Sequence, residues 1–185
     1  MNRRLACGLV LAIFLSACSA PPDKERQQAQ GALEAARAAG AETYAATELD
    51  AAQAALRRYD EAVALRDYRQ ALNSALEARG MAYEAARQAA DRKAELRSQS
   101  ERLADDLDAL VTTAGARLTG RGRVTGAAAT RLQRARDAAE AALQEARTRV
   151  AQQDYPGAIE RLTPAIDGLL KELPATTAPG AGRKS

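Results

Sequence analysis

The chain is 185 residues long, with 27 basic and 24 acidic side chains and neither histidine nor tryptophan. Lacking histidine, it lacks the commonest general base and metal ligand, and its net charge of +3, with no concentrated basic face, speaks against nucleic-acid binding. Roughly a quarter of the residues are alanine and 3% are aromatic, which favours helix and leaves too few β-branched and aromatic side chains for a sheet core. The expected fold is all-α, with no catalytic residue, no cofactor site, no small-molecule substrate and no metal.

Met1, Asn2, Arg3 and Arg4 make a short basic end, and residues 5–15 are apolar apart from Cys7 and Gly8. This is the layout of a secretory signal, and it is shorter than the roughly 20 apolar residues a membrane span needs. The stop at Leu15-Ser16-Ala17-Cys18 resembles the lipobox of bacterial lipoproteins, in which a dedicated peptidase cuts before a cysteine already carrying a diacylglycerol. A thiol can be alkylated to a stable thioether, and the small Ser16 and Ala17 let the peptidase reach the backbone. The resemblance implies a signal peptide over 1–17, cleavage between Ala17 and Cys18, and a lipidated Cys18 at the head of the mature chain. The alternative is an ordinary signal peptide with an incidental cysteine. Arg3-Arg4 could suggest twin-arginine export, but the residues after the pair do not fit that signal. Ser19 stands where many inner-membrane lipoproteins carry aspartate, so the implied location is the outer membrane, facing the periplasm. Loss of 1–17 removes two arginines and no acid, leaving 25 basic and 24 acidic groups and no thiol free for a disulfide, a nucleophile or a metal.

Residues 18–23 then form a lipid-anchored spacer around Pro21-Pro22, and a first helix is expected over about 24–39, ending at Gly40 as a C-cap. Thr47 and Asp50 have the spacing of a capping box for a second helix, whose Leu49, Ala52, Leu56, Tyr59 and Val63 recur at 3 and 4 residues as in a coiled coil. Asp67, with Gln70 in the reciprocal position, is expected to cap a third, long central helix running to about Val111 and interrupted only by Gly80. Residues 24–111 thus form the first half of an elongated antiparallel bundle with coiled-coil-like hairpins. Residues 112–126 ("TTAGARLTGRGRVTG") read as a linker, and 127–173 as a second hairpin with Leu132, Ala135, Ala139, Leu143, Ala146 and Val150 on one helix. Ile159, Leu162, Ile166, Leu169 and Leu173 line the other, with Thr163 expected to cap a restart or kink at Pro164. Residues 174–185 read as a disordered tail.

"AAQAAL" at 51–56 returns as "AAEAAL" at 138–143, and in both places ten residues follow before "DYRQAL" at 67–72 or "DYPGAI" at 154–159. Asp67 and Asp154 can cap the new helix through its free N–H groups, while Tyr68 and Tyr155 are expected to plug the corners. The stretch around 24–95, through Gly40, Ala41, Tyr44 and Ala45 and then Asp67, Tyr68 and Ala71, resembles a family of alanine-rich helical bacterial lipoproteins of unknown function. That family has a GA-x-x-YA turn and a DY-x-x-A corner, and commonly a proline where Ala46 stands. The resemblance implies fold and compartment and supplies no activity. The corner also resembles that of tetratricopeptide repeats, but a true array repeats about every 34 residues whereas this echo has a period of 87.

Glu101, Asp105 and Asp108 share a helical face and read as solvated carboxylates. "GRGRVTG" lacks the lysine of a phosphate loop and follows a helix rather than a strand, so it reads as an inter-helix loop, with contact to anionic lipid heads or cell wall as the rival. Arg131, Arg134 and Arg136 should lie near the acidic group if their helix folds back. The expected role is structural, or that of an interaction partner for an envelope protein. The alternatives are a tetratricopeptide-like peptide-binding module and a weak peptidoglycan tether through the basic tail, whose Arg183 and Lys184 precede Ser185.

Overall fold

The computed structural model describes residues 20–121 and 123–173, and among them are six helices and no strand. They are α1 (Asp23–Ala38), α2 (Ala41–Tyr44), α3 (Ala46–Ala64), α4 (Tyr68–Thr119), α5 (Gly126–Ala151) and α6 (Tyr155–Glu172). The fold is all-α, with the 52-residue α4 as its long central helix. The cleavage site, Cys18 and the tail from 174 to 185 lie outside the described residues.

The chain divides into two compact units, Met1–Arg92 and Lys93–Ser185. The division falls inside α4 and not in the glycine-rich segment at 112–126, because each unit draws one of its helices from α4.

In the first unit α1, α3 and residues 68–92 of α4 pack through methyl groups. Ala29, Ala55 and Ala78, one from each helix, form a fully buried cluster, and Tyr59, Ala62, Ala71 and Ala75 form another. Alanine buries little area per residue but lets helix axes approach to the lower end of the usual range of about 8–10 Å. On α3 the predicted seam is right in phase: Leu49, Ala52 and Tyr59 are buried and Leu56 and Val63 half-buried. Its start is not as predicted. Ala45 is the N-cap and makes no side-chain cap bond, so Thr47 lies within the first turn and forms no capping box with Asp50.

The GA-x-x-YA turn has a physical explanation here. Gly40 ends α1 with φ +89°, a left-handed conformation natural to glycine. Tyr44 then packs back on it, so closely that a Cβ on Gly40 would lie 3.1 Å from Tyr44 Cδ2. Ala41 and Ala45 are fully buried on either side of that ring. Arg92 closes the arrangement, donating to the Tyr44 carbonyl at 2.9 Å and to Glu48 Oε1 at 2.9 Å.

In the second unit residues 93–119 of α4, α5 and α6 surround a leucine core of Leu107, Leu132, Leu143, Leu162 and Leu169 with Ala114, Ala139, Ala146 and Ala158. Ala135, Val150, Ile166 and Leu173 pack at its margin. α4 runs eight residues past Val111, through the segment expected to be a linker. Ala114 is fully buried and Leu118 packs on the core, which offsets the weak propensity of the threonines and Gly115. Thr113 and Thr119 turn their hydroxyls back to the carbonyls four residues earlier. Of the described residues there, 120, 121 and 123–125 lie outside the helices, and Val124 N–H donates to Arg117 O at 3.0 Å. α6 also passes through Pro164 without a break, and Thr163 caps nothing there, since its hydroxyl donates to Ile159 O at 3.0 Å. The exposed proline ring sits between the buried Leu162 and Leu169, whose packing holds the helix on both sides.

Candidate functional site

The two Asp-Tyr corners share one backbone geometry. In the first, Asp67 N–H donates to Ala62 O and Arg66 N–H to Val63 O, both at 2.9 Å; in the second, Asp154 N–H donates to Arg149 O at 2.9 Å and Gln153 N–H to Val150 O at 3.0 Å. These are the paired bonds of a Schellman C-cap. The left-handed residue it requires is Arg66 (φ +58°) or Gln153 (φ +62°) rather than glycine. The aspartate then caps the next helix, Asp67 Oδ1 accepting from Gln70 N–H at 2.9 Å and Asp154 Oδ1 from Gly157 N–H at 3.0 Å. The reciprocal half of a capping box is absent at the first corner because Asp67 N–H is already committed to Ala62.

The side chains at the two corners diverge. Tyr155 is buried at 6% exposure, as a plug should be, whereas Tyr68 is only half-buried; the buried rings of the first unit are Tyr44 and Tyr59, and the Tyr59 hydroxyl donates to Asp23 Oδ1 at 3.3 Å. At the second corner Arg149 Nη1 donates to Asp154 Oδ2 at 2.8 Å, and Glu145 receives Arg149 on one oxygen and Arg161 on the other at 3.2 and 2.7 Å. The Gly157 N–H first, and Arg149 second, hold the Asp154 carboxyl below its usual range, while Arg149 and then Arg161 do the same for Glu145. A Cβ on Gly157 would meet the ends of the Asp154 and Arg149 side chains, so another residue here would displace the Arg149–Asp154 pair; at the first corner the equivalent Gln70 is capped with no arginine in the way. This network is invisible in the sequence except as i,i+4 charge spacing between Glu145 and Arg149.

The first corner lacks that staple: Ala62 stands where Arg149 stands 87 residues later. Leu65 projects there with 82% of its surface exposed. Among the described residues neither Arg66 nor Arg69 has an ion-pair or side-chain hydrogen-bond partner. Ala20, Pro22, Arg66, Asp67, Tyr68, Arg69 and Leu72 line an open groove of about 560 Å³.

A second open groove, of about 440 Å³, lies between α1 and α3, floored by Leu33 and Leu56 and rimmed by Gln30, Glu34, Arg37, Gln53, Arg57 and Asp60. Of the acidic group on α4, two members are paired, and Asp105 has no ion-pair or side-chain hydrogen-bond partner among the described residues. Glu101 pairs with Arg97 at 2.9 Å, and Asp108 with Arg147 at 3.2 Å. Arg131 and Arg136 are elsewhere, on Glu172 at 3.2 Å and Glu140 at 2.6 Å. The antiparallel register brings the end of α5, not its start, beside the carboxylates. Among the described residues no group of three or more acidic, histidine or cysteine side chains is placed to hold a metal. No helix there is long and apolar enough to cross a membrane.

Compared with known proteins, the chain matches no family model, no curated protein and no solved structure.

Proposed function

We propose that this protein is a lipoprotein of a bacterial outer membrane, anchored through Cys18 and facing the periplasm, whose helical units serve a structural or interaction role in the envelope. The observation that carries this is the N-terminal pattern: a basic end, an apolar stretch of signal length and a cysteine preceded by Leu15, Ser16 and Ala17. Once acylated more than once, such a cysteine holds a chain stably, each buried CH₂ contributing about 0.8 kcal/mol. A non-enzymatic role is supported by a chain with no histidine and with cysteine only at positions 7 and 18. The interaction half of the reading draws on the groove between α1 and α3, whose mixed-charge rim suits a polar protein surface better than an apolar peptide.

The test is Cys18→Ser expressed in a Gram-negative host fed radiolabelled fatty acid. The native chain should carry label and fractionate with outer membrane, while the variant should carry none and appear either soluble or as unprocessed precursor. Label entering the variant, or a native chain free of label, would defeat the reading.

A further inference from the structure

We infer that the first Asp-Tyr corner is a membrane foot, in which Leu65 enters the interfacial layer and Arg66 and Arg69 bind the phosphates of anionic phospholipid headgroups. The inference rests on the lipid-anchor reading, and it identifies which surface that anchor brings to the bilayer.

Cys18 is two residues from Ala20, so extended backbone separates them by at most about 7 Å. The headgroup layer on each side of a bilayer is roughly 5–8 Å thick. Ala20 lines the same groove as Arg66, Tyr68, Arg69 and Leu72. Acyl chains in the hydrocarbon therefore hold this corner at the headgroup layer.

Its chemistry suits that position. Leu65 is 82% exposed at the tip, out of phase with the buried seam of α3, so it contributes nothing to the helical core. Tyr68 is half-buried with an apolar ring and a polar end, a combination favoured at interfaces. The one carboxylate lining the groove, Asp67, directs Oδ1 to the Gln70 N–H. The groove thus carries two guanidiniums, neither of them paired among the described residues, against the single carboxylate of Asp67, and planar guanidinium is well matched to phosphate.

The second corner supplies an internal control, since its backbone is the same and its distance along the chain from Cys18 is 87 residues greater. There Leu65, Arg66 and Arg69 are replaced by Gln152, Gln153 and Pro156, and Gln153 accepts from Lys93 at 2.6 Å. The apolar tip and both outward cations occur only at the corner next to the anchor. A shared helix-capping role does not require them.

The native mature chain has no thiol besides Cys18, so Leu65→Cys gives a single site for an environment-sensitive fluorophore, with Tyr83→Cys as reference, at a tyrosine 59% exposed in the same unit and about 22 Å of helix beyond Tyr68. The acylated proteins are reconstituted in phosphatidylglycerol vesicles and exposed to a water-soluble quencher. The label at 65 should shift its emission to the blue and lose quencher access, while the label at 83 stays in water. Adding Arg66→Glu and Arg69→Glu, with helix content checked by circular dichroism, should return the label at 65 to water. Equal quenching at the two positions overturns the foot, and so does protection that survives the charge reversal. Fatty-acid label on Cys18 is measured in the same preparations. If it is present while position 65 stays wet, the foot alone fails; if it is absent, the anchor and the foot fail together.

Discussion

Arg66 and Gln153 hold a backbone conformation that glycine adopts freely and that other residues enter at a cost of about 1–2 kcal/mol. Both do so to close Schellman bonds that end one helix and position the aspartate that caps the next. Replacing Arg66 with Gly should therefore stabilise the protein by about 1 kcal/mol, read as a higher denaturant midpoint at unchanged m-value. The same substitution should weaken contact with anionic lipid, so stability and the foot are expected to move in opposite directions. A fall in stability would mean that Arg66 makes native contacts that outweigh its backbone strain. Gly157 teaches the converse lesson. An internal helical glycine is ordinarily improved by alanine, but here the missing methyl is the space in which Arg149 reaches the Asp154 carboxylate.

At the level of single helices, position 46 offers a direct test of the GA-x-x-YA turn. Ala46 is the first residue of α3, it is exposed, and Ala45 before it is extended in φ at −148°. The first helical position tolerates proline, whose missing N–H is not needed there. Ala46→Pro should raise stability by about 0.4–1 kcal/mol through the unfolded chain, measured by thermal melting. A loss instead would show that the Ala45 carbonyl or the Tyr44 ring cannot accommodate the pyrrolidine. How far such elements are legible in the sequence depends on residue size. α1 and its stop at Gly40, the seam of α3 and the two aspartate caps follow from spacing and turn chemistry. The last eight residues of α4 do not, because Thr112, Thr113 and Gly115 suggest a loop until Ala114 and Leu118 are seen to be in the core. Thr47 suggests a cap because its spacing to Asp50 is right, yet Ala45 leaves the helical region one turn too early for it. The α4–α5 register was equally hidden, and with it the true partners of Arg131, Arg136 and Asp108. Alanine presents the same methyl in every register, so its spacing does not specify which turn faces which.

Over the whole chain, the echo of 87 residues is the trace of two units of three long helices, each ending in a helix, an Asp-Tyr corner and a helix. The first is cored by alanine and tyrosine, the second by leucine. Because the buried clusters are separate, damage to one should be local. Leu162→Ala, at a fully buried position, should cost about 2–5 kcal/mol and speed amide hydrogen exchange in α5 and α6, while exchange in α1 and α3 stays at its native rate. Uniform acceleration along the chain would mean that the two units unfold as one.

Arg92 gives this organisation an order in time. A chain is synthesised from its N-terminus at about 5–20 residues per second, so α1, α2 and α3 emerge before the third helix of their own unit exists. The residue that fastens the α2–α3 junction, through the Tyr44 carbonyl and Glu48, is the last of the unit to be delivered. Until then the alanine faces of α1 and α3 are open to whatever meets the nascent chain. The helix that completes the first unit is also the one that runs on into the second.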